Sequence, residues 1–303
     1  MQDYVIGIDI GGTNFRIGMV SEQGELVQFQ KKSSSILTGA DVVGTLAEQI
    51  TAYLSEFDGQ GAVKAVAMGF PSIVSKDKKT LYSTPNLAGF DCLNLKDPLE
   101  KRLGMPVFID RDVNFLLQND IRQLGLDPAG TILGFYVGTG FGNAVYLEGK
   151  FYGGKNGVAG ELGHIPLYGV EEYCTCGNLG CVETRCSGRY LETLARECFP
   201  ETEIYDVFAK HAEDPRLIRF VTDLAIPVAT EINILDPDVS ILAGGVVMMK
   251  GFPKELLEQA VRLRVRKPYP AKGLQLVFTE HTQHSGVLGS ADYAFQKLLG
   301  KHQ

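Results

Sequence analysis

Four of the six cysteines crowd into one stretch, at Cys174, Cys176, Cys181 and Cys186, and His164 lies shortly before them. Thiolates and a neutral imidazole are the donor set of tetrahedral zinc. His164, Cys174, Cys176 and Cys181 would close one four-coordinate structural site. Buried reduced thiols around a satisfied core histidine are the alternative reading of the same spacing. Cys92, Cys186 and Cys198 lack such spacing and are expected only to pack.

Glycine-rich turns form the second chemical signal. Asp9-x-Gly11-Gly12-Thr13-Asn14 and Gly138-Thr139-Gly140 each follow an apolar run. Glycine lets a backbone turn sharply and bring several N–H groups onto an anion, and Thr13 and Thr139 add hydroxyl donors. One such turn reads more readily as structure, but two in the same context point to phosphate. Asp9 adds a carboxylate that would hold magnesium directly or through water. Ala243-Gly244-Gly245-Val246 is a third turn, suited to a flat ligand such as adenine or simply to helix entry. The sequence has neither a Gly-Lys-Ser/Thr phosphate loop nor a Gly-x-Gly-x-x-Gly dinucleotide turn, which lowers two common alternatives.

Phosphoryl transfer also needs a base for the acceptor hydroxyl. Asp112 stands where a strand gives way to a helix, a place that suits either that base or a helix N-cap.

The elements that must carry these groups follow from periodicity. Residues 4–10, 15–20 and 26–30 read as three strands joined by tight turns, and 41–57 has helical spacing. A buried strand at 62–70, a short helix at 97–103 and a strand at 107–109 lead to the helix at Asp112. The pattern then recurs, with strands at 131–137 and 143–147 separated by the second glycine turn. Helices at 189–198 and 215–235, a strand at 239–242, a helix at 253–265, a strand at 274–278 and a last helix from about 286 complete an α/β architecture.

At 303 residues the chain is long enough for two cored domains. These are expected at 1–115 and 116–303, with a compact hinge near 112–119 and the last helix, about 286–303, able to pack back on the first domain. A net charge of −7 argues against a broad nucleic-acid surface. No apolar run approaches the roughly 20 residues of a membrane helix. With no secretory signal pattern at its start, the sequence is expected to act in the cytoplasm, without a membrane partner.

The runs Ile8-Asp9-Ile10-Gly11-Gly12-Thr13, Gly138-Thr139-Gly140, 158–164 (VAGELGH) and Cys174-x-Cys176-Gly177-x-x-Gly180-Cys181-x-Glu183 resemble the ROK family of sugar kinases and repressors over almost the whole chain. The resemblance implies an actin-like ATPase (ribonuclease H-like) fold, two α/β domains around a cleft, Mg-ATP as phosphate donor and one structural zinc. It implies Asp112 as general base, Gly244 and Gly245 beside the adenosine, and sugar contacts from Asn86, Glu161, His164 and Glu183. Family members carry Asn-Asp where this sequence has Arg111-Asp112. A charged donor-only side chain there bears on sugar recognition, unless Arg111 merely pairs with Asp110 or Asp112.

The runs 69–78, 83–87 and 111–114 look most like the allose-phosphorylating members. The implied reaction is transfer to the 6-hydroxyl of a hexose, D-allose first, then glucose, mannose, fructose or N-acetylmannosamine. A homodimer is plausible by the same resemblance. A sugar-sensing repressor would need a helix-turn-helix ahead of this core, for which the phosphate strand starting at about Tyr4 leaves no room. An actin-like assembly ATPase would not explain the cysteine cluster with its flanking glutamates.

Overall fold

Alternation along the first strand explains how the amino-terminal part folds. In β1 (Gln2–Ile10), Tyr4, Ile6, Ile8 and Ile10 turn one way into a core with Leu46, Ile50 and Tyr53 of α1 (Val42–Ser55). Val5 turns the other way, into a cluster with Val287, Ala291 and Phe295. The computed structural model describes residues 2–59, 61–84 and 87–300. It forms two compact units, 1–127 with 150–159 and 282–303, and 128–149 with 160–281.

In the first unit β1 lies antiparallel to β2 (Asn14–Ser21), which pairs with β3 (Leu26–Ser33). On its other edge β1 runs parallel to β4 (Gly61–Phe70), and β4 parallel to β8 (Val107–Arg111), giving the order β3-β2-β1-β4-β8. Between β4 and β8 the chain makes a small antiparallel sheet of β5 (Ile73–Val74), β6 (Thr80–Ser83) and β7 (Leu93–Asn94), followed by α2 (Lys96–Leu103). Strands this short have too little periodicity to be read from sequence, and they were not expected.

α3 (Asp112–Leu124) is one continuous helix, and the first segment of the first unit runs through it to residue 127. The reason is its packing on α8 (Ser285–Leu298). Gln118 Nε2 donates to Asp292 Oδ2 at 2.7 Å, Arg122 pairs with the same carboxylate, and the Phe115 and Tyr293 rings lie 5.3 Å apart. The last helix thus closes the second face of the first unit's sheet. Gly7 allows the approach, because a Cβ there would lie 2.1 Å from the Val287 carbonyl oxygen.

The second unit repeats the scheme. β9 (Thr131–Val137) is antiparallel to β10 (Phe141–Leu147) and parallel to β12 (Val239–Ala243), which is parallel to β13 (Leu276–Phe278). A two-residue strand, β11 (Lys150–Phe151), lies between β10 and β12 in the chain, in the segment that belongs to the first unit. α4 (Gly188–Cys198), the short α5 (Val207–His211), α6 (Pro215–Leu235) and α7 (Lys254–Arg264) supply the apolar core, in which Leu191, Phe208, Phe220, Leu224 and Leu257 meet. In both units a central strand has an antiparallel hairpin partner on one side and a parallel strand on the other, the doubled α/β core of the actin-like ATPase fold. Among the described residues no helix is long and apolar enough to cross a membrane.

Candidate functional site

The first glycine turn joins β1 to β2. It is closed by Gly11 N–H donating to the Asn14 carbonyl at 2.8 Å, which leaves Gly12 and Thr13 exposed at its tip. A short 3-10 segment, Ser34–Leu37, buttresses it from behind: Ser34 N–H donates to the Thr13 carbonyl at 3.0 Å and Ser34 Oγ to the Gly11 carbonyl at 2.6 Å. Beside the turn lies a cavity of about 290 Å³, bordered by Gly12, Thr13, Ser34, Leu87 and Phe90. Asn86 lies outside the described residues.

Asp9 and Arg16 are directly opposite in the β1–β2 hairpin, and Arg16 Nη1 donates to Asp9 Oδ2 at 2.7 Å. Burial pushes the Asp9 carboxyl above the ordinary range, and the Arg16 charge and hydrogen bond oppose that push. Arg16 was missed in the sequence, although opposite charges placed symmetrically about a hairpin turn are the signal for such a pair.

Asp112 is the first residue of α3, directly after β8. Arg111 is the N-cap, and Asp112 Oδ1 accepts from the Val113 N–H at 2.8 Å. Asp112 therefore sits at the carboxyl end of a parallel strand, where open α/β sheets present their chemistry. Arg111 is buried, and its Nη1 donates to the Ala159 carbonyl at 2.9 Å, anchoring the backbone just before Gly160 and Glu161. Its own N–H donates to Asp110 Oδ1 at 2.8 Å.

In the second unit Gly138-Thr139-Gly140 joins β9 to β10, the place the first turn holds between β1 and β2. Its carbonyls are taken by the start of α4: Gly188 N–H donates to Gly138 O at 2.8 Å and Arg189 N–H to Thr139 O at 3.1 Å. Glu183 is no solvated surface residue, because its Oε2 accepts from the Phe141 N–H at 2.9 Å at the exit of this turn. The third turn follows β12. Gly244 has φ +102°, a backbone region that side chains disfavour, and a Cβ on it would lie 2.5 Å from the Val137 carbonyl. Gly245 has open space beside it.

The cysteine loop folds as a small hairpin in which Cys174 N–H donates to the Asn178 carbonyl at 2.8 Å and Val182 N–H to the Ile165 carbonyl at 2.9 Å. It gathers the donor atoms of His164, Cys174, Cys176 and Cys181 to within 4.8 Å of one another. Cys176 and Cys181 sulfurs are 3.6 Å apart, and Cys174 Sγ lies 3.6 Å from His164 Nδ1. A tetrahedral zinc with ordinary bond lengths separates two sulfurs by about 3.8 Å and sulfur from nitrogen by about 3.6 Å, so the four residues fit the ion. Burial and the neighbouring thiols push the Cys181 thiol up to about 12. His164 Nε2 lies on the other side of the ring, 3.8 Å from Glu161 Oε2. One imidazole thus turns one nitrogen to the cysteines and the other toward a carboxylate, the usual way such a ligand is oriented.

A family model described as ROK family matches residues 5–297. The chain is 30% identical to an N-acetyl-D-glucosamine kinase of Vibrio cholerae, covering 94% of this chain and 97% of that one. It is 27% identical to a glucokinase of Thermotoga maritima over 98% of both chains. The crystal structure of a ROK family glucokinase from Streptomyces griseus with glucose and AMPPNP superposes with a TM-score of 0.78 at 25% identity, covering 96% of this chain and 98% of that one. With the family match running from the first strand into the last helix, the chain belongs to the ROK family.

Proposed function

We propose that this protein is an ATP-dependent hexose kinase that transfers the γ-phosphoryl group to a sugar hydroxyl, with Asp112 as the base. The position of Asp112, at the end of β8 and the start of α3 in a sheet whose hairpin turn presents Gly12 and Thr13, carries the reading. The kinase names of the relatives and the glucose and AMPPNP of the Streptomyces griseus complex support it.

In this mechanism the backbone N–H groups and hydroxyls of the Thr13 and Thr139 turns hold the phosphates, and Asn14 flanks the first turn. Gly244 and Gly245 lie against the adenosine, where the open side of Gly245 leaves room. Asp9, kept in place by Arg16, would hold magnesium, which offsets charge on the phosphate oxygens. Asn86, Glu161, His164 and Glu183 bind the sugar hydroxyls. The hydroxyl oxygen bonds to the γ-phosphorus, its proton passes to the Asp112 carboxylate, and the bond to the bridging oxygen of ADP breaks. Zinc on His164, Cys174, Cys176 and Cys181 would be structural, ordering the loop between Glu161 and Glu183.

For the acceptor we propose the 6-hydroxyl of a hexose, with D-allose ahead of glucose, mannose, fructose and N-acetylmannosamine. N-acetylglucosamine joins this panel because several relatives are named for it. Buried Arg111 at the position next to the base supports a changed hydroxyl preference. Release of ADP with Mg-ATP is the test, run across the six sugars on wild type and Asp112→Asn. Sugar-dependent turnover that falls about 10²- to 10⁴-fold in the variant supports both kinase and base. Folded, zinc-loaded protein that releases no sugar-dependent ADP overturns the kinase reading, and an Asp112→Asn enzyme with full turnover overturns the base.

A further inference from the structure

The turn between β5 and β6 holds a side chain in a costly place. Ser75 Oγ accepts from the N–H groups of Lys79 and Thr80 at 3.1 and 2.9 Å, and Lys78 N–H donates to the Ser75 carbonyl at 2.9 Å. The tight bend forces Lys78 to φ +58°, the left-handed region in which hairpin turns ordinarily carry glycine or asparagine. A lysine kept there has a reason outside the turn. Its Nζ lies 2.7 Å from Oδ1 of Asp110, whose side chain is 1% exposed against 27% for Lys78.

Asp110 is the residue through which β8 hands over to α3. The same Oδ1 accepts from Asn114 Nδ2 and from the Arg111 N–H, both at 2.8 Å, so one oxygen ties the strand end to the first turn of the helix that begins at Asp112. Its other oxygen, Oδ2, is buried with no hydrogen-bond partner. A buried carboxylate satisfied on one side only depends on its cation. Lys78 supplies that charge in direct contact. Lys297 and Tyr293 of α8 also feel the Asp110 charge, and Lys150 and Lys78 both act on Lys297.

We propose that Lys78 is a positioning residue for the catalytic aspartate: it neutralises and anchors Asp110, which fixes the Arg111–Asn114 entry to α3 and presents Asp112 as a carboxylate. The proposal rests on the reading of Asp112 as base. Without Lys78, the Asp110 anion two residues away disfavours ionisation of Asp112. The base is then protonated at higher pH, and the acid limb of the kcat/KM profile moves upward.

The test compares pH profiles of kcat/KM for ADP release, with the best sugar of the panel, across wild type, Lys78→Gly, Lys78→Met and Lys78→Gly/Asp110→Asn. Glycine relieves the strained backbone, so Lys78→Gly isolates the lost charge from any fault in the turn. The expected result is an acid limb about one unit higher in both single variants, which makes their kcat/KM at the foot of the limb about tenfold lower than that of wild type. In the double variant the limb returns toward the wild-type position, because the introduced asparagine keeps an oxygen for the Arg111 N–H and Asn114 and carries no charge. Single variants with the wild-type limb overturn the proposal, as does a limb that stays high in the double variant. A thermal melt separates unfolding from the charge effect, since a purely structural role lowers the melting temperature and leaves the limb in place. Retained turnover in Asp112→Asn sinks the base assignment instead, so the two failures are distinguishable.

Discussion

Gly286 of α8 lies against the carboxyl group of Asp9: a Cβ on that glycine would sit 2.8 Å from the carboxyl carbon and 3.1 Å from Oδ1. Asp9 is thereby gripped from two sides, by the first turn of α8 and by the Arg16 guanidinium. A methyl group has no place to go, because Asp9 is short and its other oxygen is already taken by Arg16. Gly286→Ala is expected to push the carboxylate out of line and lower kcat/KM for Mg-ATP by about tenfold or more, while KM for the sugar changes less. Overpacking of this kind also destabilises by about 1–3 kcal/mol, read in a thermal melt. Unchanged Mg-ATP kinetics would show that the Asp9 position does not matter to the nucleotide.

Arg111 donates to the Ala159 carbonyl and so joins the segment that carries Asp112 to the end of 150–159. Asparagine is too short to keep that contact. Arg111→Asn is expected to change the ratio of kcat/KM for D-allose over glucose by about tenfold, the scale of one hydrogen-bonding group in a sugar site. An unchanged ratio across the sugar panel would assign Arg111 to structure alone.

The four-residue donor set makes the zinc expectation direct. Purified protein should contain one zinc per chain by elemental analysis, and Cys181→Ser, which removes a fully buried ligand, should lower that content severalfold. Structural zinc orders small peptides by about 10 kcal/mol, so the melting temperature should fall by roughly 10 °C or more. Metal-free protein with an unaltered melt would leave the cluster as packed thiols.

Glu231 lies inside α6, and its Oε2 accepts from Asn143 Nδ2 at 2.8 Å. Burial pushes its carboxyl up to about 7, against the pull of the Asn143 hydrogen bond. The folded protein then holds this proton across a pH range in which the unfolded chain, titrating near 4.5, has lost it. Stability from this group is full below about 4.5 and is lost as pH rises to about 7. Glu231→Gln keeps the hydrogen bond without the charge and is expected to stabilise the protein by about 3 kcal/mol at pH 8, with little change at pH 4.5. Denaturant melts at the two values check it, and equal effects at both would mean that Glu231 does not titrate in this range.

Local signals made much of the fold legible. β1, β2, β4, β8, β9, β10 and β12 each follow from a run of apolar residues, and α1, α6 and α8 from helical spacing. Asp112 was legible as a strand-to-helix junction residue, with the helix itself supplying the N-cap one residue earlier, at Arg111. The β5–β7 sheet was not legible, since strands of two to four residues leave no period to detect.

By itself the sequence determined the donor set His164, Cys174, Cys176 and Cys181, the three glycine turns and the order of the longer strands and helices. All of these depend on residue type and short spacing, which a chain carries before it folds. Tertiary structure alone decided that Lys78 reaches Asp110, that Glu183 accepts from the Phe141 amide and that Gly286 closes on Asp9. Each of these contacts joins segments far apart in the chain. Local propensity places no constraint on such pairs, and only the packing of sheet faces, turns and α8 brings them together.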